Sequence, residues 1–446
     1  MGISTEDAVE VPSHWSVRRF SEVARVVKRV NRPELELLSV YLDRGVIRYS
    51  ESGGQVHKPS LDLSLYQHVQ PGDLVMNNQQ AWRGSVGVSS YEGIVSPAYV
   101  VCELSRQMNP RYANSLFRSS LMVDQMVTAS KGVGSIQRNL TMSYLRACKV
   151  PVPSLDEQGL IVRYLDHAEL RIAKAISAKQ RMIALLDERE ELALLQAITQ
   201  SDQPMTTDPR LDWVGEFPAH WDVKRLGSLL EERNEMNADR QIQQVLSLVR
   251  KRGVMRYEDK GRIGNKRSDD VARYKVVREG DIVLNSMNVI IGSVGQSSYT
   301  GCLSPVYYVL KPRSNELHNS YFNALFQVER FHSSLVRFGK GILAHRLRIP
   351  MIDLKTVMLP VPPPDEQLAI ADRVVKATAE LKAAKAGIEA EISLLKEYRT
   401  RLISDVVTGK LDVREEAAKL PEIDPIDLVN VAVGENGDDE EASDDD

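Results

Sequence analysis

The sequence predicts an α+β protein built from two tandem homologous α/β modules, each followed by a long helix. Three observations predict this architecture. A series of short motifs recurs in the same order in both halves of the 446-residue chain. Short β-branched runs broken by glycines fill the first part of each half. Each half then ends in apolar residues spaced three or four positions apart, as on one face of a helix.

The internal repeat spans nearly the whole chain. Its copies lie 206 residues apart at the His-Trp motif and 209 apart at the Asp-Glu-Gln motif, so few insertions separate them. The repeat is far longer than the unit of a solenoid. The paired motifs are Pro12-Ser-His-Trp15 and Pro218-Ala-His-Trp221, Gly72-Asp-Leu-Val75 and Gly280-Asp-Ile-Val283, Ser85-Val-Gly87 and Ser293-Val-Gly295, Ser96-Pro97 and Ser304-Pro305, and Pro151-Val-Pro153 with Asp156-Glu-Gln158 and Pro360-Val-Pro362 with Asp365-Glu-Gln367.

The first part of each copy predicts short strands. In copy one they cover residues 38–41, 46–49, 73–77 and 95–104, and copy two repeats them. Asp43-Arg44-Gly45 and Lys251-Arg252-Gly253 predict hairpin turns. A helical stretch follows at 111–129 and at 319–338. Each globular part is therefore α+β.

A long helix follows Pro-Val-Pro in each copy. Asp156 and Asp365 fit the N-cap or the first helical turn, where acidic groups are favourable. About 40 residues at ~1.5 Å each give rods of roughly 60 Å. Sustained 3–4 spacing with charged flanks predicts a coiled coil, and the alternative is a helix packed only on its own globular part. The apolar positions are Ile161, Leu165, Ala168, Ile172, Ala175, Met182, Leu186 and Leu194, and then Ile370, Val374, Ala377, Leu381, Ala384, Ile388, Ile392, Leu395 and Leu402.

Composition narrows the class of protein. No stretch approaches the ~18 uncharged apolar residues of a membrane span, and the acidic start does not fit a signal peptide. Three distant cysteines and scattered histidines predict neither disulfides nor a metal site. We therefore expect a soluble cytoplasmic protein.

Charge is distributed unevenly along the chain. Residues 412–446 hold 14 acidic and 2 basic side chains, which leaves a net charge of +8 on residues 1–411. The acidic segment predicts a disordered, solvating tail, with a DNA-mimicking regulatory tail as the alternative. The remaining body is mildly basic.

Motifs that carry catalysis are absent from the sequence. Gly339-Lys340-Gly341 and Gly409-Lys410-Leu411 both fail the P-loop pattern, and no Asn-Pro-Pro-Tyr-like motif or Gly-x-Ser-x-Gly is present. Glu258-Asp259-Lys260 contains a Glu-x-Lys but lacks an upstream Pro-Asp, and copy one lacks it altogether. We therefore predict no catalytic, cofactor-binding or metal-binding residue on this chain.

Over residues 11–411 the duplicated order of motifs resembles the DNA-specificity subunits of type I restriction–modification enzymes. The resemblance implies target recognition domains at 11–155 and 217–364, a central coiled-coil helix at 156–200, a linker at 201–216 and a C-terminal coiled-coil helix at 365–411. The acidic disordered tail at 412–446 is predicted from composition alone. It further implies that the two helices pair antiparallel and set the spacer between two half-sites on double-stranded DNA. Two methyltransferase subunits would bring S-adenosylmethionine, and two restriction subunits would bring ATP and Mg.

Base readout favours Arg, Lys, Asn and Gln on loops, and phosphate contact favours cations near glycine. Three kinds of segment fit: an amide-rich run after a strand, a basic hairpin turn, and a glycine-rich basic loop before the long helix. The alternatives are polar surface loops and solvated charge. His14-Trp15 and His220-Trp221 are shared by both copies and are interpreted as framework. The candidate DNA-binding residues are Arg44, Arg48, Asn77, Asn78, Gln79, Gln80, Trp82, Arg83, Lys131, Arg138, Arg250, Lys251, Arg252, Arg256, Asn285, Asn288, Lys340, His345, Arg346 and Arg348.

The sequence thus favours a non-catalytic DNA-recognition subunit that reads one bipartite, asymmetric site. A specificity subunit of a methylation-only system remains open, as does a coiled-coil scaffold that does not read DNA. A self-sufficient methyltransferase or nuclease is disfavoured by the missing motifs. Since the loops of the two copies differ, the recognised sequence is predicted to be non-palindromic.

Overall fold

A computed structural model describes residues 11–42, 44–51, 59–131, 138–250, 252–261, 267–268, 270–340 and 347–423. The chain divides into two compact units that are not contiguous in sequence. Within the described ranges, unit 1 comprises residues 11–178 and 391–423, and unit 2 comprises residues 179–390. Each unit therefore contains parts of both long helices.

Unit 1 begins with short strands and ends at its part of the long helices. Its elements are β1 (Ser16–Arg19), α1 (Phe20–Val23), β2 (Ala24–Val27), β3 (Leu38–Tyr41), β4 (Gly45–Arg48), β5 (Gln67–Val69), β6 (Leu74–Asn77), β7 (Val86–Val88), β8 (Gly93–Val95), β9 (Tyr99–Leu104), α2 (Pro110–Phe117), α3 (Ser120–Thr128), β10 (Ser130–Lys131), β11 (Asn139–Leu140), α4 (Met142–Ala147), β12 (Lys149–Val152) and the start of α5 (Leu155–Thr199).

Unit 2 repeats this order. Its elements are β13 (Met205–Thr206), β14 (Phe217–Pro218), β15 (Asp222–Arg225), α6 (Leu226–Leu229), β16 (Leu230–Glu232), β17 (Leu246–Val249), β18 (Gly253–Arg256), β19 (Lys275–Val277), β20 (Ile282–Asn285), β21 (Val294–Gln296), β22 (Gly301–Leu303), β23 (Tyr307–Pro312), α7 (Asn319–Phe326), α8 (Glu329–Leu335), α9 (Met351–Leu354), β24 (Met358–Val361) and the start of α10 (Pro364–Val407). The last element of the described chain, α11 (Arg414–Lys419), belongs to unit 1.

An antiparallel four-stranded sheet lies at the centre of each unit, in the order β2-β9-β6-β7 and β16-β23-β20-β21. Successive side chains point to opposite faces of a strand. In β6, Leu74 and Met76 therefore join the core formed with the helices, while Val75 joins a smaller core under the β3–β4 hairpin. Val283 repeats this division in unit 2. The sheet is thus covered on both faces.

In each unit the strand after the His-Trp motif pairs with the strand that leads into the long helix. β1 lies antiparallel to β12 and β15 to β24, with Ser16 opposite Val152 and Asp222 opposite Val361. This pairing fixes the Pro-Val-Pro segment at the start of the helix. Asp156 and Asp365 then lie in the first helical turn, because the helices begin at Leu155 and Pro364.

The two long helices pack together, as predicted. In unit 2 their pairing is antiparallel, since Arg373 of α10 donates to the carbonyl of Ala197 in α5, whereas Lys385 further along α10 reaches Asp187 at 2.7 Å. The ends of both helices also join the globular cores: Ile161 and Leu402 are buried in unit 1, and Leu194 and Ile370 in unit 2. The long helices therefore pair with each other and also pack on the globular cores, which the sequence analysis posed as alternatives.

The inward face of the helices differs from the predicted stripe. Ala377 and Ala384 are exposed, and the strict 3–4 alternation runs instead through buried Thr378 and half-buried Lys385. Met182 is likewise 54% exposed. Polar residues are tolerated on the inward face because they are satisfied there: the Thr378 hydroxyl donates to the Val374 carbonyl, and Lys385 pairs with two carboxylates. A sequence pattern that counts only apolar residues does not identify these inward-facing polar positions.

Four other segments differ from the sequence predictions. The predicted 95–104 strand is two strands separated at Ser96-Pro97, since proline cannot donate to a ladder. The helical stretches at 111–129 and 319–338 are each broken into shorter helices. The 201–216 segment packs as part of unit 2, with Leu211, Trp213 and Val214 buried.

The segment from 412 also begins as ordered chain. Val413 and Ala417 are buried, and α11 places Arg414 near Glu157 at 3.7 Å. The expectation of disorder from residue 412 is therefore wrong for residues 412–423, because two apolar side chains anchor them. Residues 424–446 lie outside the described chain.

Candidate nucleic-acid interface

The amide-rich run of unit 1 is a tight loop at the end of β6. Asn77 ends the strand, and its side-chain oxygen accepts the backbone N–H of Gln79 at 3.0 Å. A 3₁₀ turn then covers Ala81–Arg83 and ends at Gly84, whose φ of 98° lies in the left-handed region. Gln79 and Arg83 are exposed, whereas Asn77, Asn78, Gln80 and Trp82 are half-buried.

The glycine-rich basic loop lies directly beside this run. Its base is the β10–β11 ladder, in which Lys131 faces Asn139. The backbone N–H of Leu140 donates to both the backbone and side-chain oxygens of Asn78, each at 3.1 Å. The Arg138 guanidinium lies 4.9 Å from the centre of the Trp82 ring. Two segments joined by a bond between residues 62 apart in sequence thus form one polar surface.

Unit 2 repeats this arrangement with different side chains. Lys340 and Arg348 exchange backbone hydrogen bonds at 2.9 and 3.1 Å, and Ile349 N–H donates to the Ser286 carbonyl at 2.9 Å. Asn285 ends β20, and Asn288 precedes a 3₁₀ turn that closes at Gly292. Both asparagines are half-buried, and Lys340 forms an exposed ion pair with Asp353 at 2.9 Å.

The predicted basic turns lie at the tips of the β3–β4 and β17–β18 hairpins. Arg44 stacks on Tyr41 at 4.6 Å and donates to the Glu51 carbonyl. In unit 2, exposed Arg250 donates to the Ile291 carbonyl at 2.7 Å, which ties the turn to the amide-bearing loop. Arg252 is exposed at the same turn.

Arg48 and Arg256 make the same tyrosine contact in the two units. Arg48 lies 5.1 Å from the Tyr91 ring, and Arg256 lies 5.3 Å from the Tyr299 ring. Arg48 also pairs with Glu36 at 3.5 Å, whereas the matching position of unit 2 is Gln244. The tyrosine contact is therefore part of what the two units share.

Glycines allow each hairpin to lie against the sheet. A Cβ on Gly87 would lie 3.1 Å from the Gly45 Cα, and a Cβ on Gly295 would lie 2.9 Å from the Gly253 Cα. Gly45 and Gly253 also have φ of 70° and 76°. The basic turn is thereby held next to the amide run, and in unit 1 Arg44 and Arg83 line one cleft of about 980 Å³.

Four predicted residues cannot be placed in full. Lys251, His345 and Arg346 lie outside the described residues, and only the backbone of Lys131 is described. The structure brings the remaining candidates of each unit to the same edge, except Arg48 and Arg256, which lie on the hairpins against tyrosines. Whether they bind DNA stays a prediction.

The other duplicated motifs contact one another. Glu157 accepts from Trp15 Nε1 at 3.0 Å and His14 Nε2 at 3.1 Å, and Glu366 accepts from Trp221 and His220 at 2.9 and 2.8 Å. The prediction that the His-Trp motifs are framework is confirmed by these bonds. Their partnership with Asp-Glu-Gln was missed, although the joint duplication of the two motifs was an available signal.

The Gly-Asp-Ile/Leu-Val motif is also framework. Buried Asp73 pairs with Arg29 at 2.5 Å and accepts the Gln70 N–H at 2.7 Å. Buried Asp281 makes the matching contacts with Arg233 at 2.7 Å and the Arg278 N–H at 2.8 Å. Each aspartate therefore fixes the turn that precedes the central strand and its following loop.

One titratable side chain lies under a candidate loop. His332 is buried, donates through Nε2 to the Phe326 carbonyl at 2.5 Å, and would lie 2.9 Å from a Cβ on Gly292. Burial lowers the pKa of this imidazole. At the matching place in unit 1, Val123 lies 3.6 Å from a Cβ on Gly84.

Three further features of the described residues concern thiol chemistry, metal binding and membrane insertion. Burial raises the pKa of the Cys102 thiol to about 12 and that of Cys148 to about 11, so neither forms a thiolate nucleophile at neutral pH. No cluster of metal-ligating side chains occurs among the described residues. No helix within those residues is both long and apolar enough to span a membrane.

Comparison with known proteins identifies one kind of relative. No protein-family model matches the chain. The putative type I restriction enzyme MjaX specificity subunit of Methanocaldococcus jannaschii is 21% identical over 430 residues, covering 91% of this chain and 95% of that protein.

One solved structure shares the fold. A chain from a type I R-M system, solved to explain complex assembly and conformational transition, has a TM-score of 0.59 at 19% identity and covers 90% of this chain and 100% of its own length. The HsdS subunit from Thermoanaerobacter tengcongensis has a TM-score of 0.42 at 19% identity, covering 92% of this chain and 100% of its own. The predicted resemblance to type I specificity subunits is confirmed, as is the two-module fold with paired helices.

Proposed function

We propose that this chain is the DNA-recognition subunit of a type I restriction–modification system and that each unit reads one half of a bipartite, asymmetric site. The observation that carries the proposal is a duplicated framework with divergent loops. In each unit an amide-bearing loop, a basic hairpin turn and a closed basic loop meet at the same edge of the same sheet. Two copies of one reader suit two half-sites, as in dimeric DNA-binding proteins.

The chemistry of these loops suits DNA more than a protein partner. Amides and arginines recognise base edges, and exposed cations and backbone amides contact phosphates. Asn78 stands where the second copy has Ser286, and Trp82 stands where it has Ile290. Since framework residues are kept and loop residues differ, the proposed site is non-palindromic.

The long helices are proposed to set the spacer and to hold partner subunits. α5 has 45 residues and α10 has 44, so each spans roughly 65 Å at ~1.5 Å per residue. This length exceeds one ~34 Å turn of DNA. Two methyltransferase subunits carrying S-adenosylmethionine and two restriction subunits using ATP and Mg are the proposed partners. The chain itself supplies recognition and assembly rather than catalysis.

The direct test maps modified bases across the genome, in source cells and in a strain that lacks this gene. Loss of one split, asymmetric methylated motif supports the proposal, and exchange of residues 11–155 then assigns its halves. A palindromic motif contradicts the two-reader interpretation. If no motif is lost, co-purification of a methyltransferase with the full chain distinguishes an inactive partner from a wrong function.

Two alternatives predict different results. A methylation-only system gives the same motif but no restriction of unmodified DNA that carries it. A scaffold that does not read DNA gives no shift of long duplex DNA in a gel and co-purifies with its partners nonetheless. Methylation or cleavage by the purified chain alone would indicate a self-sufficient enzyme.

A further inference from the structure

Trp82 and Arg138 form a stacked pair on the candidate interface of unit 1. The Arg138 Cζ lies 4.9 Å from the centre of the indole, within the range of a cation–π contact. The indole itself is fixed, because its Nε1 donates to the Gln79 carbonyl at 2.9 Å and the preceding Ala81 is fully buried. Half-buried Trp82 thus forms a rigid platform under the guanidinium.

The backbone that carries Arg138 is also held in place. Two residues later, Leu140 N–H bonds to both oxygens of Asn78, and Thr141 N–H donates to the Ala129 carbonyl at 2.8 Å. Both ends of the stacked pair are therefore attached to the same loop. Such attachment removes much of the rotamer freedom that an arginine would otherwise lose on binding.

The contact with Trp82 leaves hydrogen-bond donors of the guanidinium available. The group carries five N–H donors in its plane, more than one cation–π contact can occupy. Other candidate arginines are already engaged: Arg48 with Glu36, and Arg250 with the Ile291 carbonyl. Within the described part of the chain, Arg138 has no carboxylate within ion-pair distance.

The second copy lacks this pair. Counted from the matching backbone bonds, Ile290 occupies the place of Trp82 and Leu347 occupies the place of Arg138. The two residues differ together. Arg83, which also lies over the indole at 5.9 Å from its centre, is likewise replaced, by Ile291. The difference therefore concerns specificity rather than the shared framework.

We propose that Arg138 reads a guanine in the half-site bound by unit 1, with Trp82 as its positioning residue. Two in-plane N–H groups would donate to O6 and N7 in the major groove, an acceptor pair that guanine alone presents there. This inference rests on the proposed function, because it requires that unit 1 bind DNA at this edge.

The test selects binding sites from a library of random DNA duplexes with the full chain, together with any methyltransferase subunit that co-purifies. Wild type is compared with Arg138→Lys, which keeps the charge, with the double variant Trp82→Ile/Arg138→Leu, which installs the residues of copy two, and with Trp82→Phe and Trp82→Ile. The double variant is expected to lower the preference for one guanine by roughly 5- to 150-fold, the usual discrimination of a bidentate pair. Arg138→Lys should lower it less, because lysine can still donate to O6 and N7 but lacks the planar fork.

The half-site of unit 2 serves as an internal control for folding. Its selected bases should stay unchanged in every variant. Trp82→Phe should retain most of the guanine preference, because a phenyl ring still stacks, while Trp82→Ile should lose much of it. Unchanged preference in Trp82→Ile would overturn the positioning role.

The remaining outcomes separate this inference from the proposed function. If wild type selects a split site but the double variant Trp82→Ile/Arg138→Leu leaves every position unchanged, the guanine assignment is wrong and the proposed function stands. If the double variant binds all DNA sequences more weakly by the same factor, Arg138 contacts a phosphate and the guanine assignment is also wrong. If wild type selects no sequence at all, the proposed function fails and the inference fails with it.

Discussion

Replacing Gln158 by leucine should destabilise unit 1 severely without creating a cavity. The side chain is fully buried, and its Oε1 accepts the Asn109 N–H at 2.7 Å. Its Nε2 donates to the carbonyls of Gln107 and Pro153 at 2.8 and 2.9 Å. Leucine preserves most of the volume but strands one backbone donor and two acceptors.

The expected loss follows from those three groups. An unsatisfied buried polar group costs about 1–3 kcal/mol, and carbonyls tolerate the loss better than N–H groups. The total is about 3–5 kcal/mol. For a unit of ~200 residues this corresponds to a fall in Tm of roughly 6–20 °C. Gln367→Leu should cost somewhat less, because its bond to the Glu316 carbonyl is already long at 3.4 Å.

Urea and thermal unfolding of the full chain, followed by circular dichroism, measure the effect. The matched control is Gln107→Leu, which removes an exposed amide and keeps the carbonyl that Gln158 uses. We expect that control to lie within about 0.5 kcal/mol of wild type. A Gln158→Leu protein as stable as the control would refute the framework role of the Asp-Glu-Gln motif.

Three further predictions concern the helix pair, the loop floor and the DNA contacts. Lys385→Met leaves Asp187 and Glu190 facing each other and should lower the free energy of unfolding in urea by about 1–3 kcal/mol. Lys385→Arg keeps the charge and should be close to wild type. An equal loss of stability in both variants would contradict the ion-pair argument. Because the pKa of His332 is lowered in the folded chain, the unfolded chain binds its proton more readily, so stability should fall as pH drops below about 6.5 towards the folded pKa. His332→Val installs the residue of copy one and should flatten that pH dependence relative to wild type. The charged groups that also act on His332, Arg250 and Glu329, are kept in the variant. Parallel curves of stability against pH for the two proteins would contradict this prediction. Arg83→Ala and Lys340→Ala should each weaken DNA binding without unfolding and lower the slope of log K against log salt by about one, and a titration with unchanged slopes would remove both from the phosphate contacts.

Fold and repeat were largely predictable from the sequence, because local patterns express them. Pro-Val-Pro followed by Asp-Glu-Gln marked both helix starts within one residue, and the β3–β4 hairpin followed from its glycine turn. The residues at the interface between the two long helices were less predictable. Thr378 faces inward because its hydroxyl bonds to a carbonyl of its own helix, and Lys385 does so because it pairs with Asp187. No local pattern reveals a partner such as Asp187, which lies about 200 residues away in sequence.

The candidate interface was likewise predictable only in part. Sequence identified the loops, since amides, arginines and glycines cluster there, but not how the loops meet. The bonds from Leu140 to Asn78 and from Ile349 to Ser286 join segments about 60 residues apart. Arg138 was selected as a phosphate-gripping cation of a glycine-rich loop. Only its position over Trp82 separates it from the other cations of that loop.

The duplication also ranks the candidates. Under the proposed function, a residue with the same ring contact in both units would add affinity for both half-sites without making them differ. Arg48 on Tyr91 and Arg256 on Tyr299 fall in that group. Positions that differ while their backbone bonds match would then be where distinct half-sites are read. Asn78 against Ser286 is one such position, and the stacked pair of Trp82 and Arg138 is another. Substitutions there should change which bases are selected, whereas substitutions at the shared arginines should change only how tightly DNA is bound.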